Sequence, residues 1–174
     1  MFNYNVLRGH HTAFMLSVLL VGLVLAAPVQ AAHIFSVNSN VDAADTNPGD
    51  GLCLAPTGGG SQGCTLRAAV QEANALMTAA TPDTNITIAL PPGTFTLTGV
   101  PNEDNAASGD LDILGTCPGT SINVPCLTIN GNSATGTIID GAFKDRAFHI
   151  VGRNTVKITN LTIQNGRATN DSGG

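Results

Sequence analysis

Tryptophan is absent from this chain of 174 residues, tyrosine occurs once, and aromatic residues make up 4% of the whole. Sugar-binding clefts usually stack pyranose faces on Trp or Tyr, so an isolated carbohydrate-binding module is disfavoured. Charge is scarce as well, at 11%, and 7 Lys+Arg against 12 Asp+Glu leave a net charge of −5. No basic patch exists to displace counterions from phosphates, which excludes an electrostatic nucleic-acid binder. Yet the chain is not a disordered one, because 43% of its residues are hydrophobic and its mean hydropathy is +0.18. The core must be built from Ile, Leu, Val and Ala, with the 20 glycines turning the backbone often.

Part of that hydrophobicity belongs to a leader. Residues 1–31 carry Arg8, His10 and His11 with no acid, then an apolar run from Ala13 to Ala27, then Pro28-Val29-Gln30-Ala31. Charged, apolar and small residues in that order are the pattern of a secretory signal peptide, with Val29 and Ala31 preceding the cut. The competing reading is a membrane anchor, but the run is short for the roughly 20 residues a span needs. Cleavage after Ala31 removes Arg8 and no acid, and leaves Phe35, Phe95, Phe143 and Phe148 as the aromatic residues.

Cys53, Cys64, Cys117 and Cys126 all lie beyond the leader. An even count in an exported chain reads as disulfides, with three connectivities open. The local pairs, Cys53 with Cys64 and Cys117 with Cys126, are favoured because each closes a short Gly/Pro-rich loop. Zinc is the competitor, but its ligand pairs sit about two to four residues apart and these are farther separated.

Along the mature chain, His33 to Asn38 alternates apolar and polar residues as a strand does. A loop rich in Asp, Asn, Gly and Pro follows from Ser39 to Gly63. Next, Leu66, Ala69, Val70, Ala73 and Leu76 or Met77 fall at helical spacing, with Thr65 as N-cap and Arg67, Gln71, Glu72 and Asn74 outside the apolar face. From Asn85 the pattern becomes eight short β segments: 86–90, 94–98, 111–114, 127–130, 137–140, 147–151, 155–158 and 161–164. Leu127-Thr128-Ile129-Asn130-Gly131 recurs as Leu161-Thr162-Ile163-Gln164-Asn165-Gly166, and Ile138-Ile139-Asp140-Gly141 ends alike. A strand closed by Asn or Asp and then Gly is corner chemistry of a stacked solenoid. The expected fold is therefore all-β, a right-handed parallel β-helix with an N-terminal capping strand and amphipathic helix. The expected domains are the signal peptide at 1–31, the cap at 32–83, and the first coils at 84–174. These coils are open at Asn170-Asp171-Ser172-Gly173-Gly174, as in a truncated chain.

Phe35-Ser36-Val37-Asn38-Ser39, Asp42-Ala43-Ala44-Asp45, Pro48-Gly49-Asp50-Gly51-Leu52-Cys53 and the run from Cys64-Thr65-Leu66-Arg67 to Asn74 resemble the N-terminal domain of CSLREAI-type exported bacterial proteins. Leu90-Pro91-Pro92-Gly93-Thr94-Phe95-Thr96-Leu97 and Ile138-Ile139-Asp140-Gly141 are similar to that family's first coils. The resemblance implies a pectate-lyase-like fold and an extracellular or surface location, with Thr65, Leu66, Arg67, Ala69 and Val70 at the helix cap. It brings no catalytic residue. Ala68 stands where the family has Glu and Val70 where it has Ile; without that Glu the capping box with Thr65 loses its reciprocal bond, roughly 0.5 to 1 kcal/mol of helix stability.

Several acids invite a chemical role. Asp104, Asp110 and Asp112 could close around calcium, which takes several carboxylate and carbonyl oxygens, and Asp42, Asp45 and Asp50 form a second acidic loop. EF-hand spacing is absent from both, and solvated turns account for the same residues. Asp140 and Asp145 are the pair to consider for glycoside hydrolysis. Asp140 before Gly141 is more simply a turn cap, and Asp145-Arg146 a corner ion pair. His149, between Phe148 and Ile150, and His33 have no nucleophile at readable spacing and receive no role. The sequons at Asn85, Asn160 and Asn170 matter only in a eukaryotic secretory pathway. Gly58-Gly59-Gly60 has no Gly-Lys-Ser/Thr after it, so there is no phosphate loop.

The leading reading is a non-catalytic, secreted or cell-surface scaffold or adhesin-like module. Its candidate partners are extracellular glycans or surface proteins, with no nucleic acid and no membrane span after cleavage. No cofactor is expected beyond calcium. The alternative is the N-terminal part of a polysaccharide-degrading enzyme with its active site beyond Gly174.

Overall fold

The computed structural model describes residues 31–117, 124–152 and 155–168. The leader up to Gln30 and the phrase Asn170–Gly174 lie outside the described residues.

Among the described residues, one helix and eleven short strands follow each other along the chain. Strand β1 (His33–Ser36) leads into the acidic loop, where a small antiparallel hairpin forms from β2 (Ala55–Gly58) and β3 (Ser61–Gly63). Gly58, Gly59 and Gly60 make its turn with φ of 102°, 61° and 81°, a region that L side chains enter at a cost. The disulfide Cys53–Cys64 ties the two ends of this excursion, and Cys117–Cys126 closes a second loop. Both are the local pairs, and no described cysteine is free.

Helix α1 (Leu66–Thr78) starts at Thr65, whose extended backbone and side-chain acceptor for the Ala68 amide (3.1 Å) cap it with no Glu at position 68. Leu66, Ala69, Val70, Ala73 and Met77 enter the hydrophobic core. The polar side is buried too: Arg67 is 2% exposed, Gln71 9%, Glu72 0% and Asn74 7%. Helical spacing located the apolar face, and the polar residues outside it are buried as well.

The remaining strands are β4 (Ile86–Ala89), β5 (Gly93–Thr96), β6 (Leu111–Ile113), β7 (Leu127–Asn130), β8 (Thr137–Asp140), β9 (Phe148–Ile150), β10 (Val156–Thr159) and β11 (Thr162–Gln164). They form parallel sheets in the orders β1-β4-β7-β10, β11-β8-β5 and β6-β9. Register aligns like with like. Phe35, Ile88, Ile129 and Ile158 lie side by side across the first sheet, and Phe95, Ile139 and Ile163 across the second. Ile88, Ile129 and Ile139 are fully buried, and each such side chain contributes roughly 1.5–3 kcal/mol by leaving water. Aliphatic ladders of this kind make aromatic filling unnecessary.

The expectation of an all-β, right-handed parallel β-helix is corrected. Short, separate parallel sheets share their core with a helix, an arrangement of mixed α/β character, and no closed or solenoid sheet forms among the described residues. The self-similarity that suggested a solenoid has a different origin. Leu127–Asn130 belongs to the four-stranded sheet and pairs with β4 and β10, whereas the segment ending in Gln164 belongs to the three-stranded sheet and pairs with β8. The two phrases resemble each other because each ends a strand at a tight corner, and they are not register partners. At the first corner a Cβ on Gly131 would collide with the carbonyl of Asn160 and the Leu161 side chain, so only glycine fits.

Arg67 joins these parts. Its Nε and Nη2 form a two-pronged pair with Asp42 at 2.7 and 3.1 Å, and its remaining protons reach the carbonyls of Asp110 (3.0 Å), Gly109 (2.7 Å) and Ala106 (3.3 Å). Removing one side of a buried pair strands the other charge, so Arg67→Ala should cost about 3–5 kcal/mol. Urea unfolding measures it; a loss below about 1 kcal/mol would show that the pair is dispensable.

Candidate functional site

The residues with chemical potential gather around the segment from Asn102 to Asp112. Its backbone is shaped by α1. Gln71 accepts from the Asp45 amide at 2.7 Å and donates to the Ala106 carbonyl at 3.1 Å; Asn74 donates to the Asp112 carbonyl at 2.8 Å and accepts from the Leu114 amide at 3.0 Å. Ala106 has φ of 55°, unusual for a residue with a Cβ. It is held there by Arg67 and Gln71 on its carbonyl and by the Asp112 carboxylate on its amide (2.8 Å).

Asp112 lies on β6 beside His149 on β9, its register partner. Asp112 Oδ1 is 3.0 Å from His149 Nδ1, and Asp104 Oδ1 is 3.4 Å from the same nitrogen. Asp112 is fully buried, His149 partly, and Asp104 projects into solvent. Two carboxylates therefore share His149 Nδ1, which the alternation of Phe148 and Ile150 did not reveal. Asp112 and His149 are 37 residues apart in sequence, and the parallel pairing alone brings them together. His33, the other histidine left without a role, pairs with the Asp83 carboxylate.

Asp110 points elsewhere. Its Oδ2 accepts from Arg146 Nε at 2.9 Å, while its Oδ1 is a buried oxygen with no hydrogen-bond partner. Asp145, 3.8 Å from the same nitrogen, is occupied by the amides of Asn102 (2.7 Å) and Arg146 (2.8 Å). The structure thus brings Asp104 and Asp112 together with a histidine and gives Asp110 to an arginine. A solvated turn does not describe Asp110 and Asp112, which are both 0% exposed.

A second group, Asp45, Asp50 and Glu72, also has oxygens close together. Each is already supplied with donors. Glu72 takes the amides of Gly49 (2.6 Å) and Gly51 (2.9 Å), Asp45 those of Asn47 and Leu54 (both 2.8 Å), and Asp50 that of Leu52 (2.8 Å) and the Asn47 side chain (3.1 Å). Asp42, counted with this loop from the sequence, serves Arg67 and the Thr98 amide instead. Asp140 caps its turn through the Ala142 amide at 2.8 Å, as its place before Gly141 suggested, and binds Gln164 and Asn165.

The chain matches no protein-family model, no curated protein and no solved structure. Two disulfides are formed, and no helix among the described residues is long and apolar enough to cross a membrane. These features are compatible with an extracellular protein.

Burial raises the proton affinity of three carboxyls. Desolvation is the main cause for Glu72, Asp110 and Asp112, outweighing the Gly49 and Gly51 amides, Arg146, and the Ala106 amide with His149 respectively. A carboxyl with a raised value in the fold favours folding when protonated. The benefit is therefore complete below the ordinary values of 4.5 and 3.8 and is lost as pH climbs through the raised ones. Asp140 acts oppositely, since hydrogen bonds from Gln164, Ala142 and Asn165 lower its value: its benefit is full above 3.8 and is lost only as pH falls below that. Thermal melting should accordingly show higher stability at about pH 5 than at about pH 7.5. A melting temperature that rises across that interval would contradict it.

Proposed function

We propose that this chain is an exported, disulfide-stapled surface module of the CSLREAI type, acting as a scaffold or adhesin-like element and not as a catalyst. One observation carries the reading: nearly every buried acid already serves the chain's own backbone or cations. Glu72 closes the Gly49–Gly51 turn, Asp42 neutralises Arg67, and Asp145 holds the Asn102 corner. A glycosidase needs two carboxyl groups facing each other across a sugar-sized gap, one free to take and give a proton. Asp140 and Asp145, the pair first considered, are both occupied by turn amides.

Export fits the two local disulfides, which stabilise small secreted domains by restricting the unfolded chain. It also fits the charged, apolar and small-residue order of residues 1–31. The partners of such a module are extracellular glycans or surface proteins.

Expression with its own leader in a bacterial host provides the test. The processed protein should appear outside the cytoplasm beginning at Ala32, with no thiol available to alkylation after denaturation without reductant. It should release no reducing ends from a panel of plant and microbial polysaccharides. Retention of Met1 in a membrane fraction, four reactive thiols, or polysaccharide cleavage abolished by Asp112→Asn would each overturn the corresponding part.

A further inference from the structure

We propose that Asp104, Asp112 and His149 form a binding site for a divalent transition-metal ion of the zinc class, clamping the 102–110 segment onto the β6–β9 pair. Their ligand atoms, one from each residue, all lie within 4.8 Å of one another. His149 Nδ1 stands 3.0 Å from Asp112 Oδ1 and 3.4 Å from Asp104 Oδ1. Ligand atoms at about 2.0–2.1 Å from a tetrahedral zinc ion are about 3.3 Å from each other, so these separations are those of a coordination edge.

The donor set selects the metal. Calcium takes six to eight oxygens and has little affinity for imidazole, whereas one imidazole with two carboxylates suits zinc, cobalt or manganese and leaves a position for water. The second oxygen of Asp112 is fixed by the Ala106 amide at 2.8 Å, the outer-sphere bond that orients a ligating carboxylate.

The charge around this cluster also favours a cation. Asp110, which immediately precedes β6, is fully buried, with its Oδ2 on Arg146 and its Oδ1 without a hydrogen-bond partner among the described residues. Asp104, Asp110 and Asp145 gather around Arg146, at 3.9, 2.9 and 3.8 Å. One guanidinium cannot neutralise three carboxylates, and a dication beside Asp104 and Asp112 reduces the excess. This site stands apart from the scaffold reading, since a metal clamp would serve a module or an enzyme equally.

The test uses the processed, oxidised protein stripped with chelator and titrated separately with zinc chloride and calcium chloride, followed by calorimetry and thermal melting. Zinc should bind one to one in the micromolar range or tighter and raise the melting temperature, and cobalt should show the visible absorption of a low-coordinate site. Calcium at the same concentrations should do neither. His149→Ala should weaken zinc at least tenfold. Asp104→Asn, on an exposed side chain that does not threaten folding, should weaken it by a similar factor. The proposal is overturned by the absence of zinc binding, by zinc binding that both variants leave unchanged, or by calcium binding as tightly as zinc.

Discussion

The Arg67–Asp42 pair is the constraint on which the rest of the structure depends. A guanidinium at 2% exposure would be untenable alone, and it is tolerated because all of its hydrogen-bonding directions end on a carboxylate or a carbonyl. The arrangement fixes more than a charge. Asp42 comes from the loop after β1 and its second oxygen takes the Thr98 amide, while the three carbonyls belong to the 106–110 segment. Arg67 thereby sets how two irregular stretches lie on either side of α1. Gln71 and Glu72 continue the same work along the helix, binding loop backbone that has no strand partner, and Asn74 holds the Asp112 carbonyl of β6 and the Leu114 amide just beyond it. Backbone groups in a buried loop need partners as much as those in a strand, and here the helix side chains supply them.

This explains which features were legible from the residues. Short runs such as Ile86-Thr87-Ile88 and Thr137-Ile138-Ile139 declare strands through their alternation, and the structure has a strand overlapping each of the eight proposed segments. The hairpin at Ala55–Gly63 was hidden because Pro56, Gly58 and the glycines around its turn have weak strand preferences, and the pairing is imposed by the surrounding disulfide and cap. The burial of the polar side of α1 was not legible for a different reason. Helical spacing reports which face is apolar, but cannot tell a solvated polar face from one that binds buried loops. A usable signal was present: one side of the helix carries Arg, Gln, Glu and Asn with no Lys, and the chain has unusually few charges to spare.

The candidate site was partly legible. Asp104 and Asp112 stood out as clustered acids, but the partner that completes them comes from a strand paired in parallel, and no local pattern announces such a neighbour. Asp110 lay in the same phrase and goes to Arg146, since three acids on one short stretch cannot all share a single buried position without heavy repulsion. The mistaken solenoid has a related cause. Corner residues such as Asn130-Gly131 and Asn165-Gly166 recur wherever a short strand must turn, so similar phrases can occupy different sheets.

Native-state amide hydrogen exchange tests the central claim most directly, because it reports the free energy with which each backbone group opens. If the polar side of α1 binds the two loops into the core, the amides of Asp45, Gly49, Gly51 and Leu114, all outside regular structure, should exchange as slowly as those within α1 and open with them as one unit. Exchange of these four at the fast rate of the exposed hairpin turn around Gly59, with α1 still protected, would contradict the account.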